Sequence, residues 1–261
     1  MEITTLLGVL TGIIAVVGAM YFKHLSFDIF LNPAAFFVIF VGTVATVLNS
    51  FPGKNLKSIG ALFRILFTTQ KTGGEVELIK LMMELATEAR KDGLLSLEVK
   101  ANEIEDPFIR KGIRMVVDGM SEEYIVDVLG TEIEAIEERH RTNASIFSSA
   151  GMYAPTLGVL GAVFGLIAAM AHIDDTAAMS EAIAAAFMAT ILGIFTGYVL
   201  WNPFATKLKV KSQDEVLLKG MAIEGLLSIQ KGDSPIMVQD KLISVLPQSE
   251  QDKVLEELSH E

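Results

Sequence analysis

The chain has 261 residues, 51% of them hydrophobic and 20% charged, with a mean hydropathy of +0.46 and no cysteine. This excludes intrinsic disorder, disulfides, thiol nucleophiles and thiolate metal sites. The net charge of −11 and pI near 4.9 argue against nucleic acid, because a phosphate-binding surface needs clustered Lys and Arg.

The charges fall in blocks. Four intervals lack any Asp, Glu, Lys or Arg: between Glu2 and Lys23, Asp28 and Lys54, Arg141 and Asp174, and Glu181 and Lys207. The shortest holds 20 residues, and a helix of that length rises about 30 Å, the thickness of a bilayer's hydrocarbon core. Transmembrane spans are therefore expected at 3–22, 33–51, 148–171 and 182–203. The first opens Met1-Glu2-Ile3, acidic where a signal peptide is basic, and its apolar run is too long, so it reads as a retained span.

After span two, residues 75–92 predict an amphipathic helix in which Val76, Ile79, Leu81, Met83, Leu85 and Ala86 interleave with charges, stopped by Gly93. A short helix through Leu97 and Glu98 follows, and Pro107 starts another near 107–118. Ser121 with Glu122 and Glu123 reads as an N-cap with acid in the first turn, from which a charged helix runs directly into span three. The tail predicts an amphipathic helix near 213–230 and a helix start at Ser234-Pro235.

Small residues recur at helical spacing in the spans: Gly8, Gly12, Ala15 and Ala19 in span one; Ala154, Gly158, Ala162, Gly165 and Ala169 in span three; Ala185, Ala189, Gly193 and Gly197 in span four. Such faces let helix backbones approach closely, and they fit either packing within one subunit or contact with another chain. Pro155 interrupts span three and Pro203 the inner end of span four, each predicted to kink or end its helix, as a hinge or as a tolerated bend. Thr156 and Thr190 are among the few hydroxyls available to satisfy freed carbonyls or face water. His172, at the edge of span three, reads as an interfacial residue beside Asp174 and Asp175.

Orientation follows from Lys and Arg. Residues 52–147 carry 13 of them and the tail 7, whereas loop 23–32 has one and loop 172–181 none. That puts 52–147, 204–261 and both termini in the cytoplasm. The expected fold is an all-α integral membrane protein: transmembrane helices one and two in 1–51, a large helical cytoplasmic domain in 52–147, helices three and four in 148–203, and a helical cytoplasmic tail in 204–261. The spans hold no carboxylate, which ion carriers usually place in the membrane, so any ion flow needs a partner that supplies one. No nucleotide loop, HExxH or catalytic constellation is visible, and the four histidines are too scattered for a metal site, so neither enzyme activity nor a cofactor is expected.

Four fragments, in order, resemble the MotA/PomA family of flagellar-motor stator A subunits across nearly the whole chain. They are Asn32-Pro33-Ala34-Ala35 with Gly42-Thr43; Arg90-Lys91-Asp92-Gly93-Leu94-Leu95-Ser96-Leu97-Glu98, matching an RxxGxxxLE element; Pro155-Thr156-Leu157-Gly158 with Gly161 and Gly165; and Ala189-Thr190-Ile191-Leu192-Gly193-Ile194 through Pro203-Phe204-Ala205. The resemblance implies a homopentamer around a dimer of B subunits, in the bacterial cytoplasmic membrane. The B subunit supplies the membrane Asp, and the cytoplasmic heads push on the rotor protein FliG. It further implies that Pro155 and Pro203 couple ion flow to movement, that Thr190 faces the ion path, and that Arg90 and Glu98 contact the rotor. Sodium-driven members are similar to one another in carrying hydroxyls where this chain has Ala162 and Ala189, which implies proton coupling here. The rival resemblance is to ExbB/TolQ proton-channel subunits that energise a periplasmic partner, but these carry three spans.

Overall fold

The computed structural model describes residues 2–24, 32–68 and 74–259, and these are helical with short connections. Helix α1 (Ile3–Phe22) is followed by α2 (Pro33–Ser50). The Asn32 side-chain oxygen caps α2 by accepting from the Ala34 and Ala35 amides, and Pro33 takes the first helical position, where a missing N–H leaves nothing unpaired. Two short helices come next, α3 (Gly53–Leu56) and α4 (Ile59–Phe67).

Further on lie α5 (Glu75–Asp92), α6 (Leu97–Glu103) and α7 (Pro107–Val117), the last capped by the Asp106 carboxylate. Helix α8 (Glu122–Ala171) starts where the Ser121 hydroxyl accepts from the Tyr124 amide and runs unbroken through the expected third span. Helix α9 (Thr176–Lys231) carries the fourth span and the start of the tail, and α10 (Pro235–Ser244) and α11 (Gln248–Ser259) end the chain.

The long helices cover the expected spans, and α9 runs beyond its expected span at both ends. It begins at Thr176, six residues ahead of 182, because the Asp175 carboxylate accepts from the Ala177 and Ala178 amides at 3.0 and 3.1 Å and holds the extra turns, the exposed Glu181 included. Pro203 does not end the helix, which continues to Lys231. A π-helical turn, Thr196–Trp201, directly precedes it; this wider turn frees the ring of the clash with the carbonyl four residues back. Pro155 likewise lies inside α8 without stopping it. In α5 the buried stripe is Leu78, Ile79, Met82, Leu85 and Ala86, so Leu81 and Met83 are only half-buried.

The chain divides into two units, residues 1–70 with 139–210 and residues 71–138 with 211–261. In the first, Ile39, Ala154 and Leu192 form one buried cluster. A second joins Leu62, Leu66, Phe147 and Phe204, with Phe63, Phe67 and Trp201 edge-on around them. Large apolar side chains such as Ile14, Phe22, Phe164 and Phe187 stay exposed on its four long apolar helices, a cost in water and none in lipid. The second unit has its own core, in which Leu78 and Met82 of α5 meet Leu97, Phe108, Ile113, Leu226 and Leu242.

Candidate functional site

The seam between the spans of α8 and α9 is built from glycine. A Cβ on Gly193 would lie 2.7 Å from the Ala154 carbonyl oxygen and 2.8 Å from the Gly158 Cα. One on Gly158 would lie 2.9 Å from the Ala189 carbonyl oxygen, and one on Gly165 2.7 Å from the Ala186 Cβ. Backbone therefore meets backbone along this line. Gly158 and Gly165 of span three and Ala189 and Gly193 of span four are spent on this contact, and Gly12 of α1 packs on Val199 and Phe195. A Cβ on Gly8 would meet nothing within 4 Å among the described residues.

Pro155 belongs to the same seam. It packs on Gly197, whose Cβ position lies 2.8 Å from both the Pro155 Cγ and the Gly151 carbonyl oxygen. Gly197 is the second residue of the π-helical turn, so the irregular point of α9 rests on the proline of α8. The Thr196 hydroxyl donates to the Leu192 carbonyl at 2.9 Å and lies 3.2 Å from that of Gly193, adding to the bonds that the Thr196 amide makes to the same two carbonyls. Trp201, the last residue of the turn, sits in the aromatic cluster, and Pro203 beyond it is exposed.

Of the other span residues singled out by sequence, Ala189 is sealed in the seam at 1% exposure, whereas Thr190 and Ala162 are half-buried. The Thr190 hydroxyl lies 3.4 Å from a carbonyl of its own helix, that of Ala186. Thr156 is exposed and bonds the Tyr153 carbonyl. His172 is exposed with Nδ1 2.9 Å from the Ala168 carbonyl oxygen. The structure thus brings Pro155, Gly158, Ala189, Thr190 and Gly193 together, while Arg90 and Glu98 belong to the other unit.

Arg90 in the last turn of α5 and Glu98 in the first turn of α6 are both exposed. Gly93 makes the turn between them with φ +85° and ψ 163°, a conformation open essentially to glycine alone. Leu97 and Ala101 are buried on one side of α6, which turns Glu98 outward. A helix of seven residues has little stability of its own. Arg110 of α7 supports it: its Nε and Nη2 donate to the Ile104 carbonyl at 3.0 and 2.6 Å, and Nη2 lies 3.3 Å from that of Glu105. Arg114 bonds the Asn102 side chain at 3.0 Å.

Sequence reasoning missed a clasp at the start of α1. The Lys207 ammonium donates to the Glu2 carboxylate at 2.8 Å and to the Thr4 and Thr5 hydroxyls at 2.9 and 2.6 Å. Thr5 passes the bond on to the Leu66 carbonyl, and the Glu2 amide donates to that of Phe67. No local pattern signals a pair 205 residues apart. The Arg110 clamp is the more legible case, since a cation soon after a short helix is a common partner for its last carbonyls.

The model of the MotA/TolQ/ExbB proton channel family matches residues 100–221. Motility protein A of Bacillus subtilis (strain 168) is 47% identical over 257 residues, covering 98% of this chain and 95% of the relative. The solved flagellar MotAB stator complex from Bacillus subtilis contains a chain that aligns with a TM-score of 0.90 at 48% identity, covering 96% of this chain and 98% of that one. The solved structure of C. jejuni MotAB gives a TM-score of 0.90 at 30% identity, over 95% and 97% of the two chains. Similarity of this extent, over the spans and the second unit alike, bears out the resemblance read from the four fragments: the chain belongs to the motility protein A family, a member of the MotA/TolQ/ExbB proton channel group.

Proposed function

We propose that this chain is the A subunit of a flagellar motor stator that conducts protons together with a B subunit. Five copies would surround two B chains in the bacterial cytoplasmic membrane, both termini would be cytoplasmic, and ion flow would turn the ring and push on the rotor protein FliG. The observation that carries the reading is the absence of any Asp, Glu, Lys or Arg between Arg141 and Asp174 or between Glu181 and Lys207, in a chain so similar to one solved within a MotAB complex. A conducting chain without a carboxylate at membrane depth needs a partner's.

The residue roles follow. Protonation of the partner's Asp changes the charge beside spans three and four, and the movement it provokes must pass through a point that yields. Pro155 on Gly197, with the π-helical turn ahead of Pro203, is such a point, because its hydrogen-bond ladder is already open. Thr190, half-buried, would face the path. Ala162 and Ala189 offer no side-chain oxygen to replace sodium's hydration, which favours protons. Arg90 and Glu98 would meet the rotor, the latter on the turn and helix set by Gly93 and Arg110. The reading assigns ion conduction and force, with no enzymatic step and no cofactor. Four long apolar helices favour it over an ExbB/TolQ-like role.

The test is expression of this chain with its B subunit in stator-deficient cells. Swimming and proton conductance should appear together, require the partner's membrane Asp, survive sodium removal and stop with a proton uncoupler. Swimming that needs sodium and tolerates the uncoupler would overturn the proton assignment; no conductance with any B subunit would overturn the channel.

A further inference from the structure

Between Asp28 and Glu75 the chain has no acidic residue, yet it carries Lys54, Lys57, Arg64 and Lys71, in a protein whose acids outnumber its Lys and Arg 32 to 21. Lys54, Lys57 and Arg64 lie on the α3–α4 segment, and all three are exposed. Lysines elsewhere find carboxylates at 2.8–2.9 Å, as Lys111, Lys207, Lys231 and Lys241 do. Among the described residues these three cations pair with none.

The position of the segment says where a counter-charge would come from. It leaves α2 at the end of span two, and its far end is fastened to the start of span one by the bonds from Thr5 to the Leu66 carbonyl and from the Glu2 amide to that of Phe67. Both attachments are at the same ends of two antiparallel spans. The segment therefore lies along the boundary where the spans leave the lipid. Leu62 and Leu66 are buried against Phe147, Phe204 and Leu208. On the other face Lys57, Gly60, Ala61 and Arg64 are exposed at helical spacing, and a Cβ on Gly60 would meet nothing within 4 Å. Two small residues between two cations leave that face flat and open.

We propose that this face binds anionic phospholipid headgroups of the inner leaflet, through Lys57 and Arg64 with Lys54 beside them. The negative surface of that leaflet attracts basic residues next to a span, and the attraction fades within a Debye length, so only cations held at headgroup depth gain from it. The segment holds them there. The inference rests on the cytoplasmic placement of this loop and is independent of which ion drives the complex.

The test uses the full chain in complex with a cysteine-free B subunit, in nanodiscs of phosphatidylcholine doped with phosphatidylglycerol. The chain has no cysteine, so Gly60→Cys gives one labelling site, in open space, for energy transfer to acyl-labelled lipid. Transfer should be higher to labelled phosphatidylglycerol than to labelled phosphatidylcholine, and the preference should shrink at high salt. Each neutralisation, Lys57→Gln or Arg64→Gln, should lower it up to about fivefold, while the exchange Lys57→Arg with Arg64→Lys retains it. Equal transfer to both lipids, or a preference untouched by the double Gln variant, overturns the proposal. So does a double variant that loses subunits from the complex and keeps the lipid preference, since the face would then meet another copy of the chain. Failure of proton conductance in the same preparation would count against the stator reading and leave the lipid result standing.

Discussion

Replacing Gly193 by Ala puts a methyl group where the helices of spans three and four touch through their backbones. The added carbon would lie 2.7 Å from the Ala154 carbonyl oxygen, 2.8 Å from the Gly158 Cα and 3.1 Å from the Gly158 nitrogen, and ordinary contact begins near 3.4 Å. These neighbours are backbone, so no rotamer change relieves the overlap and the helices must part by about 0.7 Å, the difference between 3.4 and 2.7 Å. Overpacking of this kind costs about 1–3 kcal/mol, and a gap of that size forfeits about a quarter to a half of each neighbouring contact. At about 2–4 °C per kcal/mol for a chain of this size, the unfolding midpoint of the purified complex should fall by several degrees. Swimming should weaken with it, because Thr190 and the Pro155–Gly197 contact lie along the same seam. Gly8→Ala, in open space, is the control and should leave both unchanged. A Gly193→Ala complex that melts and swims like wild type, with an ordinary Gly8→Ala control, refutes the reasoning.

Three further outcomes are expected. Gly93→Ala forces a side chain onto φ +85° and should cost about 1–3 kcal/mol locally; torque under load should drop while the membrane complex still assembles, and normal torque counts against the turn's role. Arg110→Lys keeps the charge and loses the two-nitrogen bond to the Ile104 carbonyl, so amide exchange in residues 100–106 should speed up and torque fall; unchanged exchange means that α6 needs no clamp. Lys207→Met takes the ammonium from the half-buried Glu2 carboxylate and should destabilise the complex by about 1–3 kcal/mol, with partial recovery in the reversed pair Glu2→Lys with Lys207→Glu; equal loss in the single and reversed variants argues against the clasp, and thermal unfolding measures both.

Much of the fold was legible from local patterns. Residues 75–92 read as one helix because apolar residues recur at helical spacing and Gly93 stops it, and the structure gives Glu75–Asp92. The starts at Pro107 and Ser234-Pro235 were visible because a cap followed by proline is a local device. Charge alone put the fourth span after Glu181, whereas the Asp175 cap starts the helix that carries it at Thr176, six residues before 182. On α5, Leu81 and Met83 pack half-buried against the core beside the fully buried stripe, a distinction that alternation with charges does not make and that α10 and the tail of α9, distant in sequence, decide.

The four apolar intervals, the charge bias and the family fragments follow from composition, spacing and residue type, so the sequence by itself determined the four long apolar helices and the kind of protein. It also marked Pro155, Pro203 and the glycines as unusual. What each meets depends on packing between distant segments. That Pro155 rests on Gly197, that a π-helical turn carries α9 past Pro203, that Ala189 is sealed while Thr190 is half-buried, and that Lys207 closes on Glu2 were decided by the tertiary structure. The physical reason is range: capping and periodicity act within a turn or two of helix, whereas close backbone contact and a clasp 205 residues apart exist only once the helices are packed.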